Sequence, residues 1–400
     1  PQEPARGTES PRPAARPDSP TSLDSNIPLW ELDSDLDEEE KARMRAEDAE
    51  ERRLAAEDQA GKELYAAARA GDEDNCREIV ARAGRENLGG VLDWRYPAMP
   101  GADPAEHWAD FTPLMAASRN GHVETVRFLV DSGAQLELFD RDRKMTALLW
   151  AATGDHAKVL RELKDHSDHK YVDLCGKTAL LCAAELGHVA AVGQLLWNSD
   201  VNAQDISKSS ALIYACRDGH LALARKLCDY DADVNACDSH RRSPLQHAAR
   251  WGYSGLIKLL LDRDADIDHR DKKGWTAVMF TARWSKTECL QALVAAGADL
   301  TVRERDQGRN ALMLAVRTRN TSLVSAILER AEDFDLDAKD IYGKTALELS
   351  SGVEVEAMVR DAREAQGLDG KKNDENEGEE SGLEDGESSS PDDSSAVAGE

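Results

Sequence analysis

At 400 residues the chain has room for two or three ordinary domains, and its formal charge of −27 is unevenly spread. Residues 1–110 carry a net −13, residues 111–350 a net −2 and residues 351–400 a net −12, so the middle is nearly neutral between acidic ends. This balance disfavours general attraction to nucleic acid or an anionic membrane surface, and the absence of any run of 18 apolar residues argues against a transmembrane helix.

The chain begins Pro1-Gln2-Glu3, with neither an initiator Met nor a basic-then-apolar signal segment, so a processed or partial chain stays open. Residues 1–28 are rich in Pro, Arg, Ser and Ala without apolar periodicity, and are expected to be disordered. Residues 29–60 open on the apolar island Leu29-Trp30-Glu31-Leu32. They continue as a run of Glu, Lys, Arg and Ala that predicts a charged, largely solvated helix suited to an N-terminal cap. Residues 61–110 hold a divergent first repeat, Glu63 to Asp72, followed by an insertion with Trp94, Tyr96, Pro97, Pro100, Pro104 and Trp108. Its three aromatics fit either a partner-contacting loop or a self-packed cover over the first repeats.

From residue 111 to 350 one pattern returns every 32 to 35 residues. Thr112-Pro113-Leu114 aligns with triplets that begin at Thr146, Thr178, Ser210, Ser243, Thr276, Asn310 and Thr345. A glycine pair such as Gly121-His122, Gly187-His188, Gly219-His220 or Gly252-Tyr253 follows nine or ten residues later. An apolar run comes next, and then a turn such as Ala232-Asp233-Val234-Asn235. The pattern resembles the ankyrin repeat, with seven full units from Thr112 and the start of a terminal one. That resemblance implies an all-α ankyrin-repeat solenoid of helix-turn-helix units with short β-hairpin fingers. Residues 351–366 are expected as a C-terminal cap helix, and residues 367–400 as a disordered acidic tail.

The physics of the residues agrees. The Thr or Ser anchor suits a helix N-cap, the small Ala pair lets neighbouring helices approach, and glycine supplies the positive φ of a helix end. One departure is consistent: where the family carries His after its T-P-L, this chain has Met115, Leu149, Leu181, Ile213, Gln246, Met279 and Met313. Apolar replacement there is expected to deepen the core, and a side-chain hydrogen bond of the family is put in doubt.

No nucleophile elbow, phosphate loop, zinc-protease motif or dinucleotide fingerprint occurs, so no catalytic residue and no cofactor is expected. His166 and His169 lie three apart in an inter-repeat turn without a third ligand, so no metal site is expected. Seven scattered cysteines, never spaced as C-x-x-C, read as reduced core or finger residues of a cytoplasmic or nuclear protein.

Stacked by register, the units present Arg119, Arg217, Arg250, Arg283 and Arg317 seven residues after the anchor, with Trp251 and Trp284 one step on. The resemblance implies that these columns end the inner helix and face a concave groove. Finger positions read as exposed add Arg241, Arg242, Lys272, Lys273, Trp275 and Arg309. Guanidinium forks suit carboxylates and phosphates, and Trp is enriched at binding hot spots. The alternative is structural, with these arginines pairing to finger aspartates such as Asp238, Asp271 or Asp340.

The expected function is therefore a non-catalytic interaction scaffold or adaptor. It would bind a protein partner through an acidic or phosphorylated segment in the groove from Arg217 to Arg317. Three alternatives remain open: a regulatory or targeting subunit of an enzyme complex, an anionic-ligand or nucleic-acid binder using the Arg–Trp ladder, and a fragment of a larger multidomain protein. Membrane binding is not expected, nucleic acid is disfavoured, and the oligomeric state is unassigned. The acidic tail, Asp374 to Asp393, could fold back on the basic groove and compete with a partner.

Overall fold

The computed structural model describes residues 37–97, 110–330, 332 and 335–367. The expected disordered stretch 1–28, the Leu29–Leu32 island, Trp108 and the acidic tail beyond Gly367 lie outside the described residues. The chain divides into two compact units, residues 1–206 and 207–400.

The first unit opens with α1 (Glu38–Ala70), which starts on a capping box: Asp37 accepts from the Glu39 and Glu40 amides, and Glu40 answers to the Asp37 amide. Ion pairs one turn apart, such as Arg43–Glu47 and Lys62–Asp58, line its exposed surface. The boundary expected at 60/61 falls inside this helix, which runs unbroken through Gly61 into the first repeat. Gly61 serves packing here, because a Cβ on it would stand 2.1 Å from Cγ of Trp94. After α2 (Glu73–Leu92), which kinks at Gly84, come α3 (Pro113–Asn120), α4 (Val123–Asp131), α5 (Ala147–Thr153), α6 (Ala157–Leu163), α7 (Ala179–Glu185) and α8 (Val189–Leu195).

The second unit repeats the pair: α9 (Ala211–Asp218) with α10 (Leu221–Cys228), α11 (Pro244–Trp251) with α12 (Ser254–Leu261), and α13 (Ala277–Arg283) with α14 (Thr287–Ala295). Then α15 (Ala311–Ala315) runs into the 3-10 turn Val316–Thr318 and is followed by α16 (Thr321–Leu328). The unit's described part closes with the short α17 (Ala346–Leu349) and with α18 (Val353–Ala365), which buries Val355 and Val359 and pairs Arg363 with Asp337 at 2.7 Å.

The anchor residues act as caps in most units. Thr112, Thr178, Ser210, Ser243, Asn310 and Thr345 each accept from the amide three residues on, whereas Thr146 and Thr276 cap without a side-chain bond. In the seven units that begin at Thr112 to Asn310 the backbone turns left-handed nine residues after the anchor, at the other end of the first helix. Glycine fills that place at 121, 187, 219 and 252, but Asp155, Ser285 and Arg319 hold the same conformation with φ of 55°, 53° and 57°. Gly121 has a second reason to be small, since a Cβ there would meet the His156 ring at 2.4 Å.

The apolar replacements of the family's His are buried, from Met115 to Met313, as expected. Gln246 is the exception and supplies hydrogen bonds in their place. Its Nε2 donates to the carbonyls of His269 and Trp275, both at 2.7 Å, and its Oε1 accepts from the Ser243 amide at 3.1 Å.

The fingers are tight loops rather than hairpin strands: among the described residues only two isolated antiparallel bridges form, Tyr96–Phe111 and Phe139–Thr146. Loop carboxylates such as Asp173, Asp238 and Asp271 accept the amides that a strand pair would use. Neighbouring fingers join through single backbone bonds such as Lys272 N to His240 O at 3.0 Å and Arg305 N to Lys273 O at 2.8 Å.

All seven cysteines are free thiols. Burial, with the nearby carboxylate of Asp173, pushes Cys182 up to about 12, and burial likewise pushes Cys289 up to about 11. No helix among the described residues is long and apolar enough to cross a membrane.

Candidate functional site

In the second unit the arginine column stands at the ends of successive first helices: Arg217 in α9, Arg250 in α11, Arg283 in α13 and Arg317 in the 3-10 turn after α15. Arg217 is the least available, since its guanidinium donates to both carboxylate oxygens of Asp218, at 3.1 and 2.9 Å, and lies 4.8 Å from the Tyr214 ring. Arg250 lies over Trp251 at 5.5 Å and over Trp284 of the following repeat at 5.9 Å, and Arg283 lies over Trp284 at 5.7 Å. The two indoles remain half exposed, at 50% each.

The finger aspartates do not neutralise this column. Asp238 Oδ1 accepts from the His240 and Arg242 amides at 2.8 Å, and its Oδ2 accepts from His247 Nε2 at 3.0 Å. Asp271 Oδ1 accepts from the Lys273 and Trp275 amides, with Arg242 Nε at 3.7 Å from its other oxygen. Asp340 holds the Tyr342 and Lys344 amides and receives Arg309 Nε at 3.3 Å. Arg242 and Arg309 therefore occupy the carboxylates that the sequence offered to the column. Among the described residues no carboxylate lies within ion-pair distance of Arg250 or Arg283. Burial, and then Arg242 nearby, push the Arg250 guanidinium below its ordinary value. Burial lowers Arg317 in the same way, with Arg309 and Arg283 adding to it.

Between the Arg250 and Arg283 repeats lies a recess of about 180 Å³. Arg242, Arg250, Lys273 and Arg283 line it with Trp275, Phe280 and Trp284, and Asp271 is its one carboxylate. Trp275 packs on Phe280 with ring centroids 5.2 Å apart, which leaves the indole half-buried rather than projecting. The arrangement offers excess positive charge beside aromatic surface, and so suits an anionic group with an apolar body.

The remaining predicted finger residues separate. Arg241 and Lys272 are exposed, and Arg241 stands in the left-handed region at φ 60°. Lys273 is exposed but lies 3.4 Å from Asp306. Arg309, read as exposed from its finger position, is buried against Asp340, because the loop turns its side chain inward to reach that carboxylate.

In the insertion, Trp94 and Tyr96 form an aromatic cluster with Tyr65, at 6.1 and 4.9 Å between centroids, and Trp94 Nε1 donates to Asp58 at 2.9 Å. Tyr96 also pairs its backbone with Phe111. His169, one of the two histidines considered for a metal, instead meets the Lys164 carbonyl and Ser199, and no group of three potential ligands occurs among the described residues.

The sequence did not point to Phe280, and of the carboxylate column at Asp140, Asp173, Asp238, Asp271 and Asp340 it singled out the last three as partners for the arginines but not their binding of loop amides. Their signal was available: these aspartates stand five or six residues before each anchor.

A family model described as ankyrin repeats in three copies matches residues 136–205, 198–271 and 256–340, and a model of the single ankyrin repeat matches residues 110–141. No curated protein gives a significant match. Among solved structures, the crystal structure of the human ASB11 ankyrin repeat domain is similar at 22% identity, over 54% of this chain and 96% of that one, with a TM-score of 0.48.

Proposed function

The chain belongs to the ankyrin-repeat family, and we propose that it acts as an adaptor that binds a protein partner through the Arg–Trp column of its second unit. The partner would present an acidic or phosphorylated segment along Arg217, Arg250, Arg283 and Arg317, with Trp251 and Trp284 as apolar contacts and Arg241, Arg242, Lys272, Lys273 and Trp275 flanking them. Ankyrin repeats are protein-interaction modules, and stacked repeats offer extended surfaces for that purpose. The observation that carries the reading is the unneutralised pair Arg250 and Arg283, held beside two half-exposed indoles while neighbouring carboxylates are taken elsewhere. Surface arginines without a carboxylate are ready to exchange water for an incoming anion, and Arg and Trp recur as binding hot spots.

A fluorescently labelled glutamate-rich peptide, titrated with the full chain, tests this. Arg250→Glu with Arg283→Glu is expected to weaken binding at least about tenfold, since each reversed charge turns an attraction into a repulsion. Unchanged binding by a folded double variant removes the reading.

The alternation of Arg and half-exposed Trp also supports a second reading, stacking of single-stranded nucleic acid. The chain's charge of −27 weighs against it. Steeply salt-dependent binding of a single-stranded oligonucleotide would favour it, and no binding at low salt would end it.

A further inference from the structure

The recess between the Arg250 and Arg283 repeats differs from the rest of the column because aromatic walls accompany its cations. Three arginines, Arg242, Arg250 and Arg283, surround a space of about 180 Å³, room for one side chain and not for a folded segment. Lys273 is drawn toward Asp306 at 3.4 Å, and Asp271 is committed to the Lys273 and Trp275 amides. Arg242 Nε is buried and makes no hydrogen bond, because the nearest carboxylate oxygen, Asp271 Oδ2, stands 3.7 Å away, beyond hydrogen-bond reach. A buried guanidinium donor without an acceptor is costly unless something fills the site. Trp275, Phe280 and the half-exposed Trp284 supply apolar faces beside these donors.

We propose that this recess binds a single phosphorylated aromatic side chain, a phosphotyrosine carried by the partner's acidic segment. The proposal deepens the reading of the column as an anionic-segment site and rests on it. A carboxylate brings one negative charge and two acceptor oxygens, whereas a phosphate monoester brings nearly two charges and three strong acceptors. Three guanidinium groups, one with an unused N–H, match the second better than the first. A phosphoserine would meet the cations yet leave the exposed parts of Trp275 and Trp284 in water. A phosphorylated ring satisfies the donors at its tip and covers the aromatic walls along its body. Burial and the crowding of Arg242 against Arg250, which both disfavour the Arg250 charge, are relieved by a dianion in the recess.

The test uses the full chain and one acidic peptide in three forms, with tyrosine, phosphotyrosine or phosphoserine at its centre, titrated by calorimetry. The phosphotyrosine form is expected to bind about tenfold tighter than the tyrosine form, and more tightly than the phosphoserine form. Arg242→Gln should bring the phosphotyrosine form to within about twofold of the tyrosine form. Trp284→Leu, at a half-exposed position that does not threaten the fold, should instead erase the advantage of phosphotyrosine over phosphoserine. It decides the matter even where Arg242→Gln proves unstable.

Equal affinity for the tyrosine and phosphotyrosine forms overturns the proposal, as does equal or tighter binding of phosphoserine. In either case the column reading survives so long as Arg250→Glu with Arg283→Glu weakens the unphosphorylated peptide. Failure of all three peptides to bind removes the column reading, and this proposal with it.

Discussion

Arg250 reaches past its own repeat to Trp284 of the next, its guanidinium carbon 5.9 Å from the centre of that ring, while Arg283 lies over the same indole at 5.7 Å. One indole thus carries two arginines from consecutive repeats. The pairing holds both cations at the surface without a carboxylate, and so preserves their charge for a partner. Cation–π contacts at such exposed places contribute about 0.5–1 kcal/mol each. Arg250 makes two such contacts, with Trp251 and Trp284, so Arg250→Ala is expected to lower stability by no more than about 2 kcal/mol in urea unfolding. A much larger loss would mean that the arginine is chiefly structural.

His156 and His188 make a different kind of link. Nε2 of His156 lies 2.7 Å from the Arg119 carbonyl, and Nε2 of His188 lies 3.1 Å from that of Thr153, so each ties a helix start to the preceding repeat's first helix. A carbonyl only accepts, so Nε2 must carry the proton in both rings. His156→Ala should cost about 1–2 kcal/mol, with faster amide exchange in α3 and α6. Unaltered exchange there would show that the tie is dispensable.

Gln246 offers a sharper contrast, because its counterparts Leu181 and Met279 show that an apolar side chain fits this place in the repeat. Gln246→Leu leaves the His269 and Trp275 carbonyls without their shared donor and the Ser243 amide without its acceptor. A loss of about 1–3 kcal/mol follows in chemical denaturation. Neutrality would mean that water replaces the amide.

Ser285 holds a left-handed backbone, φ 53°, where four other repeats have glycine. Ser285→Gly should stabilise the chain by about 0.5–1 kcal/mol, the relief of left-handed strain exceeding the extra chain entropy of glycine. Ser285→Ala should bring no gain. A glycine variant that melts earlier would contradict the strain argument.

Asp238 gives the fold a pH dependence. Burial pushes its carboxyl up, but the hydrogen bond from His247 and the amides of Arg242 and His240 outweigh this and hold it below the ordinary carboxylate range. A depressed carboxylate stabilises the folded state fully above its unfolded value, and that contribution is lost as pH falls through the lower folded value. Asp238→Asn should therefore be less stable than the wild type at neutral pH, with the two curves converging below about pH 4. Curves that stay parallel down to acid would exclude this carboxylate as the cause.

The repeat architecture was legible because its signals are local and redundant. Anchor hydroxyls, positive-φ glycines and apolar runs each report one unit, and the stack repeats the report. The arginine column was legible in the same way, by register alone. What lay hidden depends on long-range choices: the boundary expected at 60/61 disappears because Gly61 stays in the helix and packs under Trp94. Likewise, the pairing of Arg309 rather than Arg317 with Asp340 follows from where a loop turns, not from spacing. The substitution of Gln246 for the family's His was visible, but its three hydrogen-bond partners were not.

Whether the Arg–Trp column meets the partner can be read by oxidative footprinting of the indoles. Trp251 and Trp284 are half exposed, and Trp197 in the other unit is exposed by 74%, so all three should oxidise in the free chain. With saturating glutamate-rich peptide, Trp251 and Trp284 should be protected and Trp197 should oxidise as before. Protection of Trp197, with Trp251 and Trp284 still reactive, would contradict binding at the column.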